Sequence, residues 1–562
     1  MAFNDLLKQA GGMGRFQILQ FLFLIGIFMI TFIHVQMENF TAAIPGHRCR
    51  VPLLDNHTVS NDTGILSQDA LLRVSIPLDS NLKPDKCRRF TQPQWQLLQH
   101  NGTFLNTHEP EPDTEPCVDG WVYDRSTFVS TIVMKWDLVC EAESMSSMVK
   151  FLLMAGMMLG NIIFGRLTDR FGRKLVLTWC LLQMAIADTC AAFAPSFLIY
   201  CLLRFLTGMS ATTIMGNITM LIIEWTLPQF QALGVAYMSS ASNLGQAVLG
   251  GIAYVVRDWQ ILQLIFSVPF FVFFVCSRWI AESSRWLMVA NKPEKALKQL
   301  KKAAHRNGIK NVGDTLTMEV VKSTMKEELA AAQTKFSFWD LFRTSIMRKR
   351  IFCLAFARFA NSMLFYGLSL NIHHLGNNIF LIQCLFGFIN ILANCVALLV
   401  MNHIGRRISQ VVLLFVTGIC VVSVTFVPDE MQTPCVALAT LGIAAGTSAA
   451  TFLPIYSNEL IPTVCRSTFG GINSLFSGVG AVLVPLMMTL VVYSPHLPWI
   501  MYGVFPILSG LIVFCLQETR NQPFPETIQD VENSQSHHGL SKDDLLLGLL
   551  FVHAVQEEHD NY

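Results

Sequence analysis

Charge is scarce in this chain. Asp, Glu, Lys and Arg make up 14% of its 562 residues, against 52% hydrophobic side chains. That balance excludes an ordinary soluble enzyme, whose composition runs to about 25% charged residues, and it excludes a disordered chain. The net charge of +1 gives no reason to expect a nucleic-acid partner. No Walker-type glycine-rich loop for ATP occurs, so any uphill work must draw on the gradient of another solute. No spacing of cysteine or histidine suits a metal, and no cofactor is expected. No His/Asp/Ser constellation recurs within the apolar stretches, so the chain reads as a non-enzyme. A cleaved leader is not expected either: the run from Phe16 to about Val35 exceeds a signal core, and no small-residue cleavage site follows it.

What the chain has is apolar runs of membrane length. A bilayer core needs roughly 20 apolar residues per helix. Runs meeting or nearing this begin near Phe16, Ser146, Leu175, Phe197, Gln231, Ile261, Ile351, Asn377, Ser409, Cys435, Thr468 and Leu497. Twelve spans and an all-α membrane protein follow. Between the sixth and seventh spans, Met288 to Arg350 holds fourteen Lys/Arg and six Asp/Glu. The short connections Ala194–Ser196, Asn371–Asn377, Pro428–Pro434 and Ser494–Pro498 hold no Lys or Arg at all. Positive charge stays on the cytoplasmic side, so the central loop and both termini are expected there. The expected division is 1–15 N-terminus, 16–280 first six-span half, 281–350 central loop, 351–517 second half and 518–562 tail. Helical spacing of Lys, Glu and Ala over Lys292 to Gln333 predicts cytosolic amphipathic helices.

The first loop, 39–144, is too polar to cross a membrane. It carries Cys49, Cys87, Cys117 and Cys140 and the sequons at Asn56, Asn61 and Asn101. Together these predict a glycosylated loop in an oxidising exterior. Four cysteines allow three pairings, which the sequence does not choose among. The other eleven cysteines are expected to be small core residues.

Gly165 to Lys174, GRLTDRFGRK, sets a knot of charge between two apolar runs, where it must form a tight loop at a membrane face. The second half echoes it. Gly172-Arg-Lys after the second span is matched by Gly405-Arg406-Arg407 after the eighth, and Glu224 after the fourth by Glu459 after the tenth. The offsets are nearly constant, so a duplicated six-helix unit with a pseudo-twofold axis is expected. Substrate would sit between the halves at mid-depth. The echo is imperfect, because Asn402 and His403 replace the Asp and Arg of the first copy.

The decapeptide resembles the G-x-x-x-D-R-x-G-R-[K/R] signature of the major facilitator superfamily. Ala281–Leu287 (AESSRWL) resembles the block after the sixth helix of sugar and organic-ion porters, and Glu459–Arg466 (ELIPTVCR) their E-L-x-P-T-x-x-R block. The opening MAFNDLL, Glu38–Pro45 (ENFTAAIP) and Glu115–Asp124 (EPCVDGWVYD) are similar to the organic anion transporter branch of the organic-ion solute carriers. The resemblance runs to about Glu532; the segment Asp543–Phe551 is unlike it. It implies a major facilitator fold in the plasma membrane. It also implies uptake or exchange of amphipathic organic anions such as steroid sulfates and conjugates, against a counter-anion. An organic cation or zwitterion transporter is the alternative.

Anion selectivity requires a buried cation, because a bare carboxylate or sulfate leaves water at high cost. Relatives carry a lysine in helix eight and an arginine in helix eleven; here the aligned residues are Asn394 and Gly478. Arg358, in the seventh span, is the expected replacement, with Ser362 and Tyr366 at i+4 and i+8 on a drifting face. Phe365 and Tyr366 align with paired tyrosines of the cavity. His34, Asn39, Asn243, Gln246, Asn390, Asn394 and Asn473 are further candidates for contact with substrate, though helix bridging is the commoner fate of a buried Asn. Arg204 is expected in a structural or gating network, and Asp188, in the outer part of its span, is expected to reach extracellular water, with pairing to a cationic neighbour as the alternative. Asp169, Arg170, Arg173, Glu224, Glu282, Arg285, Glu459 and Arg466 are expected to form a gate at the inner face, re-paired in each cycle.

Overall fold

The structure is a computed structural model. It describes residues 2–55, 68–79, 83–95, 113–309, 316–324, 341–376, 378–428, 431–462, 465–492, 494, 496–520, 522, 525 and 530–532. The sequons at Asn56, Asn61 and Asn101 and the segment Asp543–Phe551 lie outside them.

Twelve helices of 18 residues or more appear among the described residues. They are α1 (Arg15–Gln36), α2 (Glu143–Phe171), α3 (Arg173–Ala192), α4 (Phe197–Glu224), α5 (Pro228–Val255), α6 (Trp259–Cys276), α7 (Ser345–Ser369), α8 (Ile379–Ile404), α9 (Arg406–Val424), α10 (Gln432–Leu460), α11 (Arg466–Met488) and α12 (Leu497–Phe514). Every expected span is therefore a helix. Eleven are apolar enough by composition to cross a bilayer. The exception, α5, carries Ser239, Ser240, Ser242, Asn243 and Gln246, and packs between α1 and α8 rather than against lipid alone.

Local chemistry sets the helix starts. Ser196, Asp258, Thr344 and Asn378 each accept a backbone N–H of the first turn of α4, α6, α7 and α8. Small residues set how closely the helices approach. A Cβ on Gly156 of α2 would lie 2.2 Å from the Phe205 carbonyl of α4, and one on Gly208 of α4 would lie 2.2 Å from the Leu153 carbonyl of α2. Only paired glycines let these backbones touch.

The segment between α1 and α2 forms two small antiparallel ladders. β1 (His47–Cys49) pairs with β4 (Trp121–Tyr123), and β2 (Arg88–Phe90) with β3 (Thr114–Pro116). Disulfides Cys49–Cys117 and Cys87–Cys140 staple them, choosing one of the three open pairings. His47, Cys87 and Cys140 lie close together, but two of the three sulfur and nitrogen ligands are spent in the disulfide. The end of the bundle carrying this segment is the loop side; the end carrying the chain's start is the terminal side.

One hydrophobic core at the loop side belongs to both halves. Met37, Phe40, Phe128 and Leu249 pack there with Leu368, Ile372, Phe380 and Trp499. Towards the terminal side the cores part. One holds Leu177, Leu221, Trp286 and Leu300 and takes in Leu370 and Ala481 of the second half only near the loop side; the other holds Ile351, Leu354, Leu453 and Leu460 of the second half. The halves thus meet at one end and separate towards the other. On the terminal side the amphipathic helix Pro293–Arg306 buries Ala296, Leu300, Ala303 and Ala304 and exposes Lys295, Lys298 and Lys302.

Candidate functional site

In the first half, a charge cluster is sealed completely from solvent. Arg204 donates from Nε to Glu38 (2.5 Å), from Nη1 to Asp188 (3.0 Å) and from Nη2 to the His34 carbonyl (3.1 Å). His34 Nδ1 lies 3.0 Å from the other Asp188 oxygen, and all four side chains are 0% exposed. Thr207 and Gln263 also donate to Asp188, and Thr41 and Tyr200 to Glu38. Asp188 therefore does not reach water, contrary to the favoured sequence reading; it takes the alternative, a cationic neighbour, which α4 supplies. His34 turns into this cluster, between the rings of Phe266 and Phe270. A fully bonded guanidinium between two carboxylates is electrically satisfied and leaves no charge to offer a solute.

At the terminal side the two halves repeat one device. Gly172 and Gly405 stand just before α3 and α9 with φ of +105° and +120°. Each is followed by a helix start whose backbone N–H groups need acceptors. Glu282 accepts from the Arg173 and Lys174 amides (3.1 and 3.2 Å), and Glu518 from those of Arg406 and Arg407 (2.9 and 3.0 Å). A Cβ on Gly172 would stand 2.5 Å from Glu282 Oε2, and on Gly405 2.6 Å from Glu518 Oε2. The carboxylates occupy the space a side chain would need. Arg173 bonds Glu224 (3.2 Å) and approaches Asp169 (3.7 Å), while Arg406 bonds Glu459 (3.3 Å), which also accepts from Thr519. Of the expected gate residues, Arg170 lies over the Phe171 ring at the exposed surface, Arg285 is exposed, and Arg466 donates to the Ile461 carbonyl of its own half. Each of these pairs stays within one half.

Between the halves, the middle of α7 carries a different kind of cation. Arg358 is half-buried and donates from Nη1 to the Ala450 carbonyl at 3.4 Å. No carboxylate among the described residues lies within 4 Å of it. Two turns on, Phe365 meets Phe32 of α1 (6.2 Å between ring centroids) and stands edge-on to Tyr366 (5.2 Å). Ser362, by contrast, spends its hydroxyl on the Ser477 carbonyl of α11 (2.7 Å). A half-buried guanidinium without a counter-charge, near aromatic rings at the seam of the two halves, is suited to an amphipathic anion.

The two departures from the relatives are filled by packing. Asn394 of α8 donates to Ser239 of α5 (3.0 Å), which in turn bonds Thr451 of α10 (3.1 Å). Gly478 of α11 faces Met158 of α2, where a Cβ would come within 2.8 Å of Met158 Cγ. At Gly478 any side chain would have to displace Met158. Gln246 of α5 and Asn390 of α8 are 0% exposed, and both polar ends of each lack a partner among the described residues. Asn243 leaves its amide nitrogen unpaired and Asn473 its oxygen. Asn39 is committed: its amide donates to the Ser369 carbonyl at 2.6 Å, across the seam.

Glu38, Lys150 and Glu518 escaped the sequence reading. Glu518-Thr-Arg520 echoes Glu282-Ser-Ser-Arg285 at an offset matching the other repeats, and that signal was available. Lys150, eight residues into α2, is 6% exposed and donates to the Leu370 carbonyl at 2.7 Å.

The Sugar (and other) transporter family matches residues 99–530. Solute carrier family 22 member 10 of Homo sapiens is 58% identical over 96% of this chain and 99% of its own length. The steroid transmembrane transporter SLC22A24 of Oryctolagus cuniculus is 57% identical over 95% and 96%. Among solved structures, the inward-open xylose transporter XylE from E. coli superposes with a TM-score of 0.55 at 17% identity, over 73% of this chain and 93% of that one. The partially occluded inward-open form gives 0.54, over 68% and 90%. The duplicated helical bundle, the mirrored caps at Glu282 and Glu518 and these likenesses together place the chain in solute carrier family 22, as a multi-pass membrane transporter of the major facilitator fold and not an enzyme.

Proposed function

We propose that this transporter carries amphipathic organic anions, steroid sulfates and conjugates among them, across the plasma membrane by alternating access, with both termini cytoplasmic. The observation carrying this is Arg358: a guanidinium in mid-helix, half-buried, with one long carbonyl contact and, among the described residues, no carboxylate in reach. Arg204 shows what a balanced cation looks like in the same protein. Phe365, Tyr366 and Phe32 supply the apolar wall that the steroid ring system of such an anion would need. The steroid transporters among the relatives lend weight to this class of solute. Exchange against a second anion, or facilitated entry, would supply the driving force.

With the termini inside, the shared core lies at the outer face and the split cores at the inner face, so this conformation faces the cytoplasm. The half-internal ion pairs Arg173–Glu224 and Arg406–Glu459 would then be the latches that re-pair when the inner face closes. An organic cation finds less support, since Glu38 and Asp188 are both bonded to Arg204.

Uptake of labelled estrone sulfate, against a labelled organic cation and a sugar, tests the reading in cells expressing wild type and Arg358→Ala at matched surface levels. Sulfate uptake that falls about tenfold or more in the variant is the expected result. Unchanged uptake removes Arg358 from the mechanism, and preferential cation uptake by wild type overturns the solute class.

A further inference from the structure

Lys150 is a buried cation with no carboxylate within ion-pair distance among the described residues, and it sits at the opposite end of the pathway from the open face. It lies on α2 of the first half, yet its ammonium donates to the carbonyl of Leu370, the residue that ends α7 of the second half. Asn39 donates to the neighbouring Ser369 carbonyl. Both acceptors belong to the last turn of α7, whose carbonyls have no partner within the helix and carry the negative end of its dipole. An ammonium and an amide from the other half are what such an end attracts. Glu38 acts on Lys150 from beyond ion-pair distance, but is already bonded to Arg204, Thr41 and Tyr200.

These bonds cross the seam, so they must break when the loop side opens. When they do, the Leu370 carbonyl leaves and the ammonium lines the opening without its hydrogen-bond acceptor. We propose that Lys150 has two alternating partners: the C-terminal end of α7, which it latches while the loop side is closed, and the anionic group of an arriving solute while that side is open. It rests on the anion reading above. Along α7, Leu370 stands twelve residues from Arg358, about 18 Å at the rise of an α-helix. The solute's sulfate or carboxylate would pass from Lys150 to Arg358 as the halves rock, never far from positive charge.

Two measurements test this on the full-length protein in the membrane. The first is the KM for external estrone sulfate in Lys150→Gln and Lys150→Arg. Gln is expected to raise KM about tenfold and Arg to stay within about threefold of wild type. The second leaves Lys150 in place. Ser369→Cys puts a thiol of nearly the same size beside the latch, where the Ser369 hydroxyl has no partner among the described residues. Its reaction with a sulfonate-bearing and a trimethylammonium-bearing methanethiosulfonate is read as the increment over the parent and scaled by rates with a free thiol. The anionic reagent is expected to gain at least about fivefold. Lys150→Gln should abolish that gain and Arg358→Ala should not. If estrone sulfate is taken up but neither KM nor reagent preference depends on Lys150, the inference fails alone. If wild type prefers the cation, the solute class fails and takes this inference with it. Should Lys150→Gln not reach the surface, an absent sulfonate preference in the Lys150-bearing protein still refutes it.

Discussion

Removing Arg204 should damage this protein more than removing the carboxylates it serves. Arg204→Met deletes the guanidinium held at 2.5 Å from Glu38 and 3.0 Å from Asp188, all with 0% exposure. It leaves two carboxylates sealed from solvent with only neutral hydrogen-bond donors around them and His34 against Asp188. Breaking a buried pair in this way costs about 3–5 kcal/mol, because the remaining charges cannot be rehydrated. At ~2–4 °C per kcal/mol for a domain of 150–250 residues, the first half should melt about 6 °C or more below wild type. Adding Glu38→Gln and Asp188→Asn removes the stranded charges and should restore at least about half of that loss, since a neutral hydrogen-bonded cluster replaces an unbalanced ionic one. Cys180 and Cys201 are buried in the same half, so a thiol-reactive dye reports its melting in purified protein. A triple variant less stable than Arg204→Met would refute the reasoning. So would an Arg204→Met protein that melts within about 1 °C of wild type.

The glycine caps give a coupled prediction. Gly405→Ala should lower the melting temperature through its φ of +120° and its contact with Glu518, and part of that cost should vanish in a Glu518→Ala background. Additive effects in the double-mutant cycle would refute contact between the two. In the loop domain, Asp55 accepts from both terminal nitrogens of Arg48 and from the Val51 amide. Burial alone would raise its pKa, but these bonds prevail and hold it below the usual carboxylate value. The folded form therefore binds fewer protons, so the stabilisation is complete above the ordinary pKa and is lost as pH falls through the lowered one. Protection of the Val51 amide from exchange should drop by up to about tenfold over that acidic range, and already at neutral pH in Asp55→Asn. Protection independent of pH would contradict it.

The sequence carried the architecture because a bilayer reads composition directly. Runs of about 20 apolar residues must become helices, since no other backbone state satisfies its own hydrogen bonds in hydrocarbon. All twelve expected spans appear, including α5, whose serines and amides make it the least lipid-like. The repeat was legible for the same reason: Gly172 and Gly405 announce turns that other residues resist. The pairing of charges was not legible. Asp188 and Arg204 lie sixteen residues apart on different helices, and Glu38 sits 166 residues from Arg204. Spacing along one helix says nothing about which neighbour a side chain will meet. The same holds for Lys150, whose acceptor is a backbone carbonyl 220 residues away. What sequence alone determined was how many membrane-length helices there are, where each begins to within a few residues, and which charges have to be accounted for. Tertiary structure alone decided which cations are cancelled and which stand unbalanced between the halves, because a charge's availability depends on its partners in space and not on its place in the chain.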